Sequence, residues 1–285
     1  MQPGQPSRTA LGAATHRAVH QLLDRGYIFA DPLAMRILGI RADAIDREAE
    51  NDPSRRRVRM FIVVRARFAE DALAAAIARG VRQLVVLGAG LDTCAYRNVF
   101  GERLRIFEVD HPATQSWKRA RLAEADISVP RALTFAPVDL ERETLADGLA
   151  AVGFDTAQPT FFTWLGVVPY LTEKTVFATL GFIASLPGGA HVVFDYRNPP
   201  TTAPDQDEHE AAREALAARV ASLGETFRSE FDTDALQVKL RGLGFREIED
   251  LGPRSIRERY FPNREGSSRD HGGHIIHAHR RVDVG

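Results

Sequence analysis

The sequence predicts an α/β protein built on a mostly parallel sheet. Residues 8–80 place apolar side chains at steps of three and four, the spacing of amphipathic helices. After Gly80 the pattern changes to short apolar runs separated by helix-length connections, and the first run ends in a turn with two glycines. Strands that alternate with helices pair in parallel and are covered on both faces. We therefore expect a helical N-terminal layer followed by an α/β sheet domain.

Seven segments are predicted as strands. They are QLVVLGAG, LRIFEVD, ALTFAPVDL, PTFFTWLGV, HVVFDY, FREIEDLG and HIIHAHR. Residues 1–80 are predicted to form an N-terminal helical cap, and residues 81–285 the sheet domain, together as one structural unit. A proline-rich loop and a charged helix at about 198–235 are predicted to form a lid over one end of the sheet.

The composition favours a small-molecule partner. The 37 basic side chains nearly balance the 38 acidic ones, so no overall charge attracts nucleic acid or an anionic membrane. No apolar stretch approaches the roughly 20 residues of a membrane span, and the N-terminus lacks the apolar core of a signal peptide. Cys94 is the single cysteine, which is typical of a reducing compartment. These features predict a cytoplasmic protein.

The segment LVVLGAGLDTCAYR, residues 84–97, predicts a nucleotide site at the end of the first strand. Gly88 and Gly90 match the first two positions of G-x-G-x-x-G, where the missing Cβ allows a tight turn and close approach of a ligand. Thr93 stands at the third position, and Asp92 precedes it. A pyrophosphate would meet the added negative charge of Asp92, which disfavours a dinucleotide.

Asp110 lies 20 residues after Gly90, at the end of the second predicted strand. This is the spacing expected for an acid that accepts hydrogen bonds from the ribose of an adenosine ligand. S-adenosyl-L-methionine fits, because it has the ribose but carries an amino acid tail and a sulfonium in place of phosphates. The alternative is an ordinary strand-to-helix turn followed by a solvent-exposed acid.

Three more residues are candidates at the same crevice. Asp139 and Leu140 end the third strand, where the carboxylate and the backbone are expected to contact an adenine ring. Asp139 has an alternative role as the N-cap of the following helix. His111 is expected either to pack against the adenine or to cap the helix that begins PATQSWKRA.

The chain resembles the leucine carboxyl methyltransferase family, and in particular its bacterial members related to polyketide O-methyltransferases. The blocks that carry the resemblance lie in unbroken order over about residues 7–177. They are SRTALGAATHRAVH, FADPLA, VVRARFAEDAL, VVLGAGLDTCAYR, FEVDHPATQSWK, VDL and TFFTWLGVVPYLTE. The resemblance implies a class I methyltransferase, Rossmann-like fold, with a seven-stranded, mostly parallel sheet whose last strand is antiparallel.

The resemblance also implies roles for individual residues. Arg65 matches the arginine that meets the carboxylate of the cofactor, and Gly88 lies in the glycine loop. Asp110 matches the ribose acid, and Asp139 and Leu140 match the pair at the adenine. From the sequence alone, a position on a solvated helix face explains Arg65 equally well.

The sequence departs from the family at Leu165, because the family has a glutamate in the motif E-G-x-x-x-Y-L. The motifs and the resemblance together predict an S-adenosylmethionine-dependent O-methyltransferase that acts on a carboxylate or hydroxyl of a small molecule. Two alternatives remain: a cofactor-binding protein that has lost turnover, and an NAD-dependent oxidoreductase. A carboxylate acceptor needs no catalytic base, whereas a hydroxyl does, and the sequence identifies no catalytic residue.

Several other polar groups have less specific interpretations. Asp195 and Tyr196 are expected at the acceptor, or else in a strand-end loop, and Tyr170 is expected to pack below the site. The histidines of HGGHIIHAHR alternate between the two faces of a strand, which argues against a metal site. The arginine run DPSRRRVRM is interpreted as a solvated helix face, with attraction of an acidic substrate as the less favoured reading.

Overall fold

The computed structural model describes residues 8–97, 101–200, 207–222, 224–263 and 270–281. Its centre is a seven-stranded sheet in the order β3-β2-β1-β4-β5-β7-β6. The strands are β1 Gln83–Leu87, β2 Arg105–Asp110, β3 Leu133–Pro137, β4 Thr160–Trp164, β5 Ala190–Arg197, β6 Glu247–Leu251 and β7 Gly273–Arg280. All seven predicted strands are confirmed.

The helices in the described residues are α1 Arg8–Leu23, α2 Ala34–Leu38, α3 Arg47–Glu50, α4 Pro53–Ala78, α5 Pro112–Glu124, α6 Leu145–Ala150, α7 Glu173–Ser185, α8 Asp207–Ser222, α9 Thr233–Leu243 and α10 Pro253–Tyr260. The predicted N-terminal helical layer is confirmed as α1 to α4. The charged helix of the predicted lid is α8, and residues 201–206 of its proline-rich loop lie outside the described residues.

The sheet is parallel from β3 to β5, and β7 is antiparallel to both of its neighbours. β1 and β4 are buried along their whole length, as expected for central strands with helices on both faces. The strand order reverses between β1 and β4. On one side of β1 lie β2 and β3, and on its other side lie β4 and β5. Ligands of open α/β sheets bind at such a reversal, beyond the carboxyl ends of the strands.

Each face of the sheet carries its own apolar core. Val85 and Leu87 of β1 join one core with side chains of α6, α7 and α9, whereas Leu84 and Val86 join the other with side chains of α4. α4 therefore packs directly on the sheet, and the N-terminal helices share a core with the sheet domain. Among the described helices, none is both long and apolar enough to span a bilayer.

Two helix starts near the reversal are fixed by local sequence. Asp52 caps α4 by accepting from the backbone N–H groups of Ser54 and Arg55, and Pro53 occupies the first turn. His111 caps α5, and its Nδ1 accepts from the N–H of Ala113 at 3.2 Å. The capping alternative for His111 is thus confirmed, and it fixes the imidazole beside Asp110.

Candidate active site

A cavity of about 1370 Å³ opens at the carboxyl ends of β1, β4 and β5. Pockets for one small ligand are commonly ~300–1,000 Å³, so this volume suits two ligands side by side. Its wall includes the turn after β1, the end of β2, and the segment that follows β4. The N-terminal half of α4, the start of α1, α8 with the segment after it, α10 and residues 271–273 also line the cavity.

The glycine loop, residues 88–92, forms the floor of this cavity. Gly88 and Gly90 have φ values of 62° and 44°, a region that disfavours side chains. A Cβ on Gly88 would lie 2.4 Å from Val167, and a Cβ on Gly90 would lie 2.9 Å from Ala10 of α1. Both glycines are therefore needed for the backbone to run this close to the walls of the site.

Asp110 is tied to the glycine loop. Its carboxylate accepts from the N–H of Gly90 at 2.5 Å and from the N–H of His111 at 2.7 Å. Burial raises the pKa of Asp110, and these two N–H donors act in the opposite direction. Each carboxylate oxygen can accept a further hydrogen bond, and Asp110 helps to line the cavity. The side chain is thus placed to accept from hydroxyl groups.

Arg65 lies across the cavity in an ion pair with Asp195 of β5. Its Nη1 donates to Asp195 Oδ2 at 2.9 Å, and the N–H of Gly166 donates to Asp195 Oδ1 at 2.5 Å. Gly166 has a φ of 73°, and a Cβ there would lie 2.5 Å from Nη2 of Arg65. The guanidinium therefore occupies the space that the missing side chain leaves.

The other three predicted contacts are not among the residues that line the cavity. His111, Asp139 and Leu140 are half-buried at the ends of β2 and β3, and His111 Nε2 lies 3.8 Å from Asp139 Oδ2. The helix-cap alternative for Asp139 is wrong, because Thr144 caps α6. Asp139 instead accepts from the N–H of Glu141 at 3.1 Å, in a turn before that helix.

Two segments distant in the sequence meet to form the roof. The hydroxyl of Thr9, in the first turn of α1, donates to Glu225 at 2.9 Å. Phe227, in the same segment as Glu225, stacks on Tyr170 with centroids 5.4 Å apart and lies under the guanidinium of Arg197 at 4.0 Å. Tyr170 is thus a packing residue, as expected, but it packs in the roof and lines the cavity rather than lying below the site, and burial raises its pKa to about 12.

Sequence reasoning missed a buried ion-pair network beneath the glycine loop. Arg17 of α1 donates to Asp31 at 3.0 Å and to the carbonyl of Leu91 at 2.6 Å. Arg97 lies 3.5 Å from Asp31 and donates to Glu70 of α4. Asp31 is fully buried. Each charged member of the network lies in one of the blocks that resemble the family, but residue spacing alone does not show that distant charges meet.

Two other expectations concern the last strands. The expectation that Tyr196 faces the acceptor is wrong: its side chain points to the opposite face from that of Asp195, and its hydroxyl donates to Asp250 at 2.6 Å. His274 also pairs with Asp250, at 2.8 Å, whereas His277 contacts His191. The predicted alternation of the histidines between faces is confirmed.

Known proteins resemble this chain over most of its length. A family model described as leucine carboxyl methyltransferase matches residues 10–184. YktD of Bacillus subtilis (strain 168) is named "Putative S-adenosyl-L-methionine-dependent methyltransferase". It is 29% identical to this chain over an alignment of 306 positions, gaps included, which covers 98% of this chain and 99% of YktD. SCO7813 of Streptomyces coelicolor has the same designation and is 38% identical over 182 residues, covering 62% of this chain and 63% of its own.

Solved structures resemble the chain more distantly. Magnesium protoporphyrin IX methyltransferase from Synechocystis PCC 6803, solved with bound SAH, has a TM-score of 0.47 at 12% identity, covering 95% of this chain and all of its own. Human N-acetylserotonin methyltransferase, solved with SAM, has a TM-score of 0.44 at 15% identity, covering 95% of this chain and 68% of its own.

Proposed function

This chain belongs to the leucine carboxyl methyltransferase family and is an S-adenosylmethionine-dependent methyltransferase, and from that premise we propose that it methylates a carboxylate or hydroxyl oxygen of a small molecule. Family membership removes the nicotinamide oxidoreductase alternative. The observation that carries the proposal is the cavity, whose volume of about 1370 Å³ leaves room for an acceptor beside the cofactor.

The residues present fit S-adenosylmethionine. We assign the turn at Gly88 and Gly90 to the amino acid and ribose portions, because only glycine allows the backbone to lie so close to neighbouring walls. Asp110 accepts from the ribose hydroxyls. Arg65 binds the carboxylate of the cofactor, since a guanidinium pairs with a carboxylate through two parallel hydrogen bonds.

The adenine edge is assigned to the end of β3. Asp139 accepts from the amino group of the adenine, and the backbone of Leu140 contacts the ring edge. His111 closes the side of the pocket between Asp110 and Asp139, where its imidazole lies 3.8 Å from the Asp139 carboxylate. These three assignments place the adenine at the rim of the cavity rather than at its centre.

When bound, the cofactor supplies a methyl group on a positively charged sulfur. The chain would align the acceptor oxygen with that methyl, and alignment of this kind can lower the activation free energy by up to roughly 7–11 kcal/mol. Transfer of the methyl to the acceptor oxygen would form the oxygen–carbon bond and leave the electron pair of the broken carbon–sulfur bond on sulfur, as S-adenosylhomocysteine. A carboxylate acceptor, with a pKa near ~4, enters already ionised, so this chain then needs no base.

A second candidate function is cofactor binding with little turnover, and Leu165 is the observation that favours it. Leu165 lines the cavity beside Gly166, and the family resemblance implies a glutamate at this position. An apolar side chain there removes one acceptor for the ammonium group of the cofactor. Single-turnover methyl transfer with a saturating acceptor distinguishes the two candidates, because a binding protein retains affinity without transferring the methyl.

The test of the proposed function is calorimetry followed by transfer. Purified protein is titrated with S-adenosylhomocysteine and, separately, with NAD, and then incubated with methyl-labelled cofactor and a library of small carboxylic acids and alcohols. We expect binding of S-adenosylhomocysteine alone and label in an ester or ether product. Absence of binding at millimolar S-adenosylhomocysteine would overturn the proposal. The balanced charge and the single Cys94 lead us to infer no nucleic acid partner and a cytoplasmic location.

A further inference from the structure

The cavity wall carries an excess of positive charge. Within the described residues eight arginines, five carboxylates and no lysine line it, and two of these arginines, Arg17 and Arg213, pair with carboxylates outside the wall. S-adenosylmethionine itself brings a net positive charge, so its binding increases the excess. An acceptor with a negative charge would offset part of this field, whereas a cationic acceptor would add to it.

The five carboxylates of the wall are each held by a described partner. Asp195 pairs with Arg65, Glu141 with Arg228, and Glu225 accepts from Thr9. Asp110 and Asp92 accept from backbone N–H groups of neighbouring turns. These carboxylates are therefore already engaged. They do not compete with an anionic ligand for the arginines at the far end of the cavity.

Arg56 and Arg57 form that far end. They lie in the first two turns of α4, where Arg56 is half-buried and Arg57 exposed, and both contribute to the cavity wall. Neither guanidinium has an ion pair or a side-chain hydrogen bond to any residue in the described part of the chain. They differ in this from Arg55 and Arg59 on the same helix, which both pair with Glu50.

The rise of α4 gives the distance between the two ends of the cavity. Eight residues separate Arg57 from Arg65, which corresponds to about 12 Å along the axis of α4. Met60 and Phe61, which lie between the two arginines in the sequence, line the cavity, and Phe261 and Ile256 add further apolar surface to its wall. The wall is thus cationic at one end, apolar in the middle, and cofactor-binding at the other end.

We propose that Arg56 and Arg57 form an anion subsite that binds a carboxylate group of the acceptor, remote from the oxygen that receives the methyl. This inference rests on the proposed function, because it names the class of molecule that the methyltransferase takes: an elongated acceptor with an apolar body and a carboxylate at its far end. The arginine run therefore contributes two side chains to substrate recognition as well as a solvated face.

The test uses binding of a matched pair of probes, 4-phenylbutyrate and 4-phenylbutan-1-ol, to protein saturated with S-adenosylhomocysteine. The two probes share an apolar body and differ in the charged end. Dissociation constants are measured by saturation-transfer NMR at low salt. For the wild-type protein we expect the carboxylate to bind at least about tenfold more tightly than the alcohol, the equivalent of ~1.4 kcal/mol.

The double variant Arg56→Gln/Arg57→Gln should reduce this preference to below about threefold and leave the affinity for S-adenosylhomocysteine unchanged. Arg56→Lys/Arg57→Lys should retain part of the preference, because it keeps the charge but loses the planar fork. The matched control is Arg79→Gln/Arg246→Gln, which removes two exposed arginines from outside the cavity wall and should keep the full preference.

Three results would overturn the inference: equal affinity for both probes, binding of neither probe, or a preference that the double glutamine variant leaves intact. Failure of S-adenosylhomocysteine to bind the wild-type protein is a separate result, and it would count against the proposed function instead. The two failures are distinguishable because the cofactor product is titrated first, before either probe is added.

Discussion

The Arg65 guanidinium is held by the Asp195 carboxylate at 2.9 Å, although 130 residues separate them in the sequence. The pair bridges α4 and β5, and Gly166 supplies both an N–H for Asp195 and the space for Arg65. The side chain assigned to the carboxylate of the cofactor is therefore oriented before the cofactor enters. Preorganisation of this kind lowers the cost of ordering the site on binding.

Arg65→Gln should weaken S-adenosylhomocysteine at least about tenfold, since it removes a charge-assisted contact worth ~1.5–3 kcal/mol. Arg67→Gln is the matched control, because Arg67 lies two residues along the same helix and pairs with Asp71 outside the cavity wall. Calorimetric titration of both variants measures the difference. Equal affinities for the two variants would contradict the assignment of Arg65.

Asp110→Ala should weaken the cofactor by about 1.5–3 kcal/mol through loss of hydrogen bonds to the ribose. Asp110→Asn keeps an oxygen that can accept from the N–H of Gly90, so it separates loss of the loop contact from loss of the charge. Dissociation constants for S-adenosylhomocysteine measure both effects. A change of less than about tenfold for the alanine variant would argue against the ribose role.

Leu165→Glu should leave the fold intact and raise cofactor affinity, because it restores a carboxylate that faces the ammonium group. Leu165→Gln has nearly the same shape without the charge and serves as the control. Thermal unfolding checks the fold, and calorimetry measures the affinity for S-adenosylmethionine. Unchanged affinity in the glutamate variant would mean that this position does not contact the ligand.

Asp31→Asn should lower the free energy of unfolding by roughly 3–5 kcal/mol, because it leaves Arg17 and Arg97 buried without their shared carboxylate. Asp43→Asn breaks the exposed pair with Arg41 and should cost at most about 1 kcal/mol. Urea unfolding followed by circular dichroism measures both. A small effect at Asp31 would show that the network contributes little to stability.

We expect the free energy of unfolding to fall as the solution becomes acidic, because two buried histidines, one in β5 and one in β7, resist protonation in the folded protein. Burial lowers the pKa of His191 to about 3 and that of His277 to about 4. Their ordinary pKa is about 6.5, so the unfolded chain binds more protons between pH 6.5 and 4. Their contribution to stability is therefore complete above pH 6.5 and is lost as the pH falls toward 4.

The groups that face His191 are the rings of His279, at 3.7 Å, His277, at 5.3 Å, and Phe161, at 5.8 Å, with Arg79 and Glu247 nearby. His191→Phe removes one titrating ring and keeps an aromatic surface for the stack. Urea midpoints at several pH values between 7.5 and 5 should decline less steeply for this variant. Parallel curves for variant and wild type would contradict the assignment.

The sheet could be predicted because its strands are short apolar runs with glycine at the turns, and their order along the chain implies parallel pairing. The glycine loop and Asp110 could be predicted because they lie at a fixed spacing from one strand end. The Arg65–Asp195 pair and the network at Asp31 could not, because spacing carries no information on contacts between distant segments. Tyr196 was misplaced because adjacent residues of a strand face opposite sides.

The hydrogen bond between Thr9 and Glu225 has a consequence for synthesis of the protein. Chains are made from the N-terminus, so α1 is complete long before the segment that meets it, 216 residues later. The glycine loop and Asp110 also emerge early, but on a nascent chain the segment around Glu225 is not yet present to cover them. The enclosed chamber exists only after most of the polypeptide has left the ribosome, and a truncated product would expose to water the residues proposed to bind the cofactor.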